Sequence, residues 1–189
     1  MDAYVHLRIL VSLIIGLAIT RTLSGLSRHL QEPENTTGRT TQIVWSIVLL
    51  LGTIHFWWWE FALRLITQWS FWIYIFILSY ASLFFLMSTL LYPDHINDHT
   101  EREKYFIRRR AAFFALFALS FGFDIVDTLI KGQEHFASLG GWYLVRTAAG
   151  VAIALAAIRT GNSRILMWLG LGWLICNGIW ITMLYSELI

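Results

Sequence analysis

Charge is scarce in this chain. Asp, Glu, Lys and Arg make up 14% of its 189 residues, whereas a soluble domain carries about a quarter so that water can wet its surface. An ordinary water-soluble domain is therefore excluded. Cysteine is scarcer still. Cys176 stands alone, so there is no intrachain disulfide and no CxxC metal or redox motif, and its apolar neighbours mark it as a small hydrophobe rather than a reactive thiol. The motifs of familiar chemistry are missing as well. No P-loop, GxSxG, HExxH or histidine-box array occurs, and neither does a TVGYG filter or a regular arginine voltage sensor. What remains favours a protein that is not an enzyme, and a membrane cytochrome or intramembrane enzyme resting on His55 is the least supported reading. The dense basic run Arg108–Arg110 flanks an apolar segment, which fits anionic headgroups and not nucleic acid.

Apolar residues, by contrast, are abundant at 57%, with a mean hydropathy of +0.61. They fall into six stretches, near residues 4–26, 41–65, 70–92, 105–130, 139–158 and 165–185, each close to the roughly 20 residues a spanning helix needs. Short polar connectors join them, none long enough for a domain. The expected fold is all-α: residues 1–189 form a single polytopic membrane domain, a six-transmembrane-helix bundle whose main partner is the lipid bilayer. The N-terminus lacks a basic region and a small-residue cleavage site, so it reads as a retained helix rather than a signal peptide.

Lys and Arg in the loops set the orientation. Arg28, Arg39, Arg102, Lys104, Arg108, Arg109, Arg110, Arg159 and Arg164 gather on one side, against Arg8, Arg64 and Lys131 on the other. The first side is expected to be cytoplasmic in a cell inner membrane. Both termini would then lie outside, with loops 1–2, 3–4 and 5–6 inside. A weaker hint of duplication is GLAITRTL (16–23) beside GFDIVDTL (122–129). These would fit a 3+3 inverted repeat, although apolar sequence produces such matches by coincidence.

Ionisable groups inside spanning helices are costly and usually meet a partner or water. Counted at 1.5 Å per residue, Arg146 falls about 5 Å outward of the bilayer centre, Asp124 and Glu60 about 10 Å, and Arg8 about 12 Å. Asp127 is placed nearer the outer surface and His55 near the midplane. Ser120, Asp124, Asp127 and Lys131 follow i, i+4, i+7, i+11, one polar stripe along one helix face. Two carboxylates on that face repel unless protonated or met by cations, and Arg8 and Arg146 are the expected counter-charges. Trp57, Trp58 and Trp59 cover about 200° of helix circumference at 100° per residue. At least one must face inward near Glu60, as an aromatic lining suited to a cation; the competing reading is an interfacial belt.

His55 invites a haem or metal reading, but no second histidine lies at its depth to complete an axial pair. His95 and His99 in the 3–4 loop have a spacing compatible with a divalent metal, yet in a polar loop after Pro93 they read as solvated. No cofactor is expected. Glycines and alanines such as Gly150, Ala154 and Ala157 suit close helix packing, within the bundle or in a homodimer. The functional expectation is an outward-facing polar cavity that passes an ion, a proton or a small cationic solute. The alternative is a scaffold or accessory subunit whose charges form a structural network.

Overall fold

The computed structural model describes residues 3–31, 37–66, 68–93 and 99–185. It contains α1 (Ala3–Gln31), α2 (Thr37–Trp59), a 3-10 turn over Glu60–Leu65, α3 (Phe71–Leu91), α4 (His99–Ile130), α5 (Gln133–Ser138), α6 (Gly140–Arg159) and α7 (Ser163–Tyr185). All helices but α5 are long and apolar enough to cross a membrane, giving six spans. Among the described residues there is no strand.

The six expected stretches all become helices, and several extend beyond them because the polar flanks keep helical geometry after their hydrophobicity ends. α4 begins at His99, six residues before its expected start. The short α5 and the 3-10 turn that ends the second stretch are the unanticipated elements. α5 is set off from α4 by Gly132, whose φ of +123° an L side chain rarely adopts. α3 starts where Ser70 accepts a hydrogen bond from the Ile73 N–H at 3.3 Å, a helix N-cap.

Polarity is inverted relative to a soluble protein. Val5, Ile9, Leu13 and Leu17 on α1 face outward at every fourth residue, whereas Gln42, Thr53, Glu60, Asp127 and Lys131 are buried. Hydroxyls inside the spans satisfy themselves: Thr22, Ser46, Thr53 and Thr147 each donate to the carbonyl four residues earlier, a bond that needs no water. The C-terminal end of α3 is held from two other helices. Arg21 donates to the Tyr92 carbonyl at 2.7 Å, and Gln42 donates to the Leu91 carbonyl.

α1 lies along α3, α3 along α4, α4 along α6, α6 along α7 and α7 along α2; α2 closes the ring on α1 and also touches α3 and α4. α2 is thus the central helix. An inverted 3+3 repeat would give α4 and α7 the long contact that α1 and α3 share. The main contact of α4 in its own half is with α6 instead, and the repeat is not shown.

Lipid is as apolar as the core, so close packing rather than escape from water must hold the helices together. The centre of that packing is aromatic. Trp45 is fully buried, meets Phe113, Phe114 and Phe117 edge-on at ring distances of 5.9, 4.6 and 5.6 Å, and donates its indole N–H to the Leu166 carbonyl at 2.9 Å. Each such ring pair contributes about 0.5–1.5 kcal/mol.

Candidate functional site

Buried charge concentrates at the end of the bundle where α2 and α4 finish, opposite the basic end. Lys131 follows directly on the last turn of α4 and returns its side chain to the helix interior, because Asp127 sits one turn back on the same face. Its ammonium donates to a carboxylate oxygen of Asp127, to Glu60 Oε1 at 3.2 Å and to the Trp59 carbonyl at 3.3 Å, which uses all three of its protons. The same nitrogen lies 5.4 Å from the Trp59 ring centre. Burial opposes the charge of Lys131, but the two carboxylates outweigh that effect and hold its pKa above the ordinary lysine value. One turn deeper, Arg146 on α6 reaches Asp124 Oδ2 at 3.5 Å and donates from Nε to Asn177 Oδ1 on α7 at 2.9 Å. The Tyr80 hydroxyl of α3 points at Asp124 Oδ1 from 3.5 Å. Three carboxyl groups, Glu60, Asp124 and Asp127, therefore share two cations. With every group ionised, the cluster carries one uncompensated negative charge.

Arg146 stands where the sequence placed it, beside Asp124. Arg8 does not. It lies over Trp57 and Phe61, 4.6 and 4.2 Å from their ring centres, with Tyr4 Oη at 3.5 Å, and it pairs with no carboxylate among the described residues. Depth along the bilayer normal is one coordinate of three, and α1 packs on α3 and α2 without reaching the α4 stripe. The cation for Glu60 and Asp127 is Lys131, assigned from sequence to the outer loop. Its signal was present as the last member of the stripe, four residues after Asp127. Asp127 is fully buried. The three tryptophans divide as their angular spread requires: Trp59 is buried, Trp58 is 54% exposed, and Trp57 covers Arg8. The α-helix ends at Trp59 and tightens into the 3-10 turn, so the 100° rule stops before Glu60, which turns inward.

Below the charges lies a cavity of about 50 Å³, above the roughly 10–15 Å³ needed to hold a water molecule. Its polar lining is His55, Ser120, Asp124, Arg146, Asn177 and Tyr80, and Trp59, Phe84, Phe117, Phe121 and Trp173 supply its aromatic walls. Five helices of one chain close it. α1 contributes nothing, whereas α3 and α7 add Tyr80 and Asn177, which single residues in apolar runs gave no reason to select. Ser120 bonds its own helix at the Phe117 carbonyl. Towards the basic end, the Trp45–Phe113–Phe114–Phe117 packing closes the interior.

A second hollow of about 260 Å³ lies at the opposite end, walled by Trp58, Trp59, Phe61, Arg64, His135 and Tyr185. Trp59 borders both spaces. Its ring is 5.9 Å from His55 on the cavity side and 5.4 Å from His135 on the groove side. Burial, and then the charge of Lys131, lower the pKa of His135. Several buried atoms here have no hydrogen-bond partner: Glu60 Oε2, His55 Nε2 and His135 Nε2; the Trp59 indole N–H faces the Asp127 carboxyl. The ring neighbours of His55 are Trp59 and Tyr185. Among the described residues no group of three or more His, Cys, Asp or Glu is placed to hold a metal ion. His95 lies outside the described residues.

No protein family, curated protein or solved structure matches the chain. Function has to be read from the geometry.

Proposed function

We propose that this protein moves a small cation or proton through a polar cavity that opens at the end opposite its basic loops. The supporting observation is a buried cluster of three carboxyl groups and two cations beside a small polar cavity. A buried charge without a partner is costly, and a bundle built only for strength would balance its ions or replace them with apolar side chains. Asp124, Asp127 and Glu60 are the groups that carry the cation or proton. Arg146 and Lys131 hold the carboxylates in place. His55, Ser120 and Trp59 line the route, and Arg8 pins the aromatic rim through Trp57. The cavity volume favours a proton, a hydrated proton or a bare ion over an organic cation. Loop charge favours an inner membrane with the basic end in the cytoplasm, which puts the groove and both termini outside.

A second reading has its own support. Lys131 is fully buried and makes direct contact with both of its carboxylates, as a structural tie between α2 and α4 would. Flux measured in liposomes from native protein and from Asp124→Asn separates the two. The transport reading expects native flux of protons or a small monovalent cation, and expects Asp124→Asn to lose at least tenfold of it while keeping its melting temperature within a few degrees. A tie expects no flux from either protein and unfolding of the variant. No native flux for any solute in a broad panel would end the transport reading.

A further inference from the structure

Resting on that reading and naming its cargo, we infer that the Glu60–Asp127 pair around Lys131 is a binding site for a single proton, reached from the groove beside His135. Charge and space agree on the ligand. Two carboxylates on one ammonium retain one negative charge, and Lys131 Nζ already occupies the position between them. A metal cation needs several oxygens around it and finds no place there; a proton needs one lone pair. The lone pairs exist. Glu60 and Asp127 are 3% and 0% exposed, Glu60 Oε2 lacks a hydrogen-bond partner, and the Asp127 carboxyl faces the Trp59 indole N–H. The route runs past Trp59, which lines both the groove, with His135, and the cavity, with His55, and whose carbonyl accepts from Lys131.

In the binding step a hydronium ion from the groove gives its proton to a carboxylate oxygen. One O–H bond forms, a water molecule is left, and the cluster becomes neutral; release is the reverse. The titratable and charged groups around the pair are Lys131 and Asp124 on α4, His55 on α2, Tyr80 on α3, His135 on α5, and Arg146 with Tyr143 on α6. Asp124 has Arg146 as its own counter-charge, so the extra proton belongs to the Lys131 pair.

Infrared difference spectra of the full chain in lipid nanodiscs, recorded across a pH titration held above about pH 6 so that exposed carboxyls stay ionised, test this through the carbonyl stretch of a protonated carboxyl. The native protein is expected to show one such band that appears on acidification. Glu60→Gln and Asp127→Asn should each abolish it. Both neutral variants should retain native helix content, because each leaves one carboxylate on one ammonium. The inference is overturned if no band titrates in native protein, if the band survives both neutral variants, or if both fail to fold. A band that behaves as expected without liposome flux keeps the proton site and ends the transport reading; flux without such a band does the opposite.

Discussion

A lysine ammonium has three protons to donate, and Lys131 places all of them on buried oxygens. Removing it strands two carboxylates at once. Lys131→Met should therefore destabilise the protein by about 3–5 kcal/mol, the cost of breaking a buried pair from one side, measured as a fall in melting temperature in detergent. Glu60→Gln relieves the excess charge and should melt at or above the native temperature, so the two variants must differ in sign. His135 gives a pH signature. Its pKa is lowered in the fold by burial and by Lys131, so on acidification the unfolded chain takes up a proton first. Stability should hold above the ordinary histidine value of about 6.5 and fall as the pH drops below it. His135→Gln should show a shallower fall in melting curves between about pH 7 and pH 5; an identical slope would show that His135 contributes nothing to it. The polar stripe on α4 was readable in the sequence because helical spacing is a one-dimensional signal. Lys131 as its cation was readable too, from its i+4 spacing to Asp127, whereas the lateral position that keeps Arg8 off the stripe is encoded by no periodicity.

At the scale of elements, the helices are placed by close contacts between small and aromatic side chains. Gly150 on α6 lies directly beneath the ring of Phe121 on α4, so an added Cβ would collide with it. Gly172 on α7 has open space beside it. Gly150→Ala should cost about 1–3 kcal/mol by overpacking, and Gly172→Ala should be neutral or gain up to about 1 kcal/mol of helix propensity; equal effects in thermal melts would contradict the packing described. The six helices were legible in sequence because apolar runs of spanning length have few alternatives. α5 was not, since six residues with one Phe carry no periodic signal. The inverted repeat is not shown, for a related reason. A match of four residues in eight between apolar helices reflects shared composition, whereas a repeat requires shared packing, and the two halves pack differently.

For the whole molecule, the charges sort into two populations with different work. Arg and Lys at one end face the loops and fit a cytoplasmic surface, and a reporter domain fused after α7 should accordingly be active only on the opposite side of the membrane. The second population, Glu60, Asp124, Asp127, Lys131 and Arg146, is enclosed by the bundle beside a cavity of about 50 Å³. The transport reading and the proton site both require water to reach that interior from the end opposite the basic loops, and a structural tie requires it to stay dry. Side-chain accessibility of Ser120→Cys in a Cys176→Ser background, probed with silver ion added to one side of sealed vesicles, measures this directly. Silver added at the end opposite the basic loops is expected to block the new thiol against later labelling, and silver added at the basic end is not. Protection of that thiol from both sides, with the protein folded, would contradict a water-accessible cavity and leave the charges as a dry structural network.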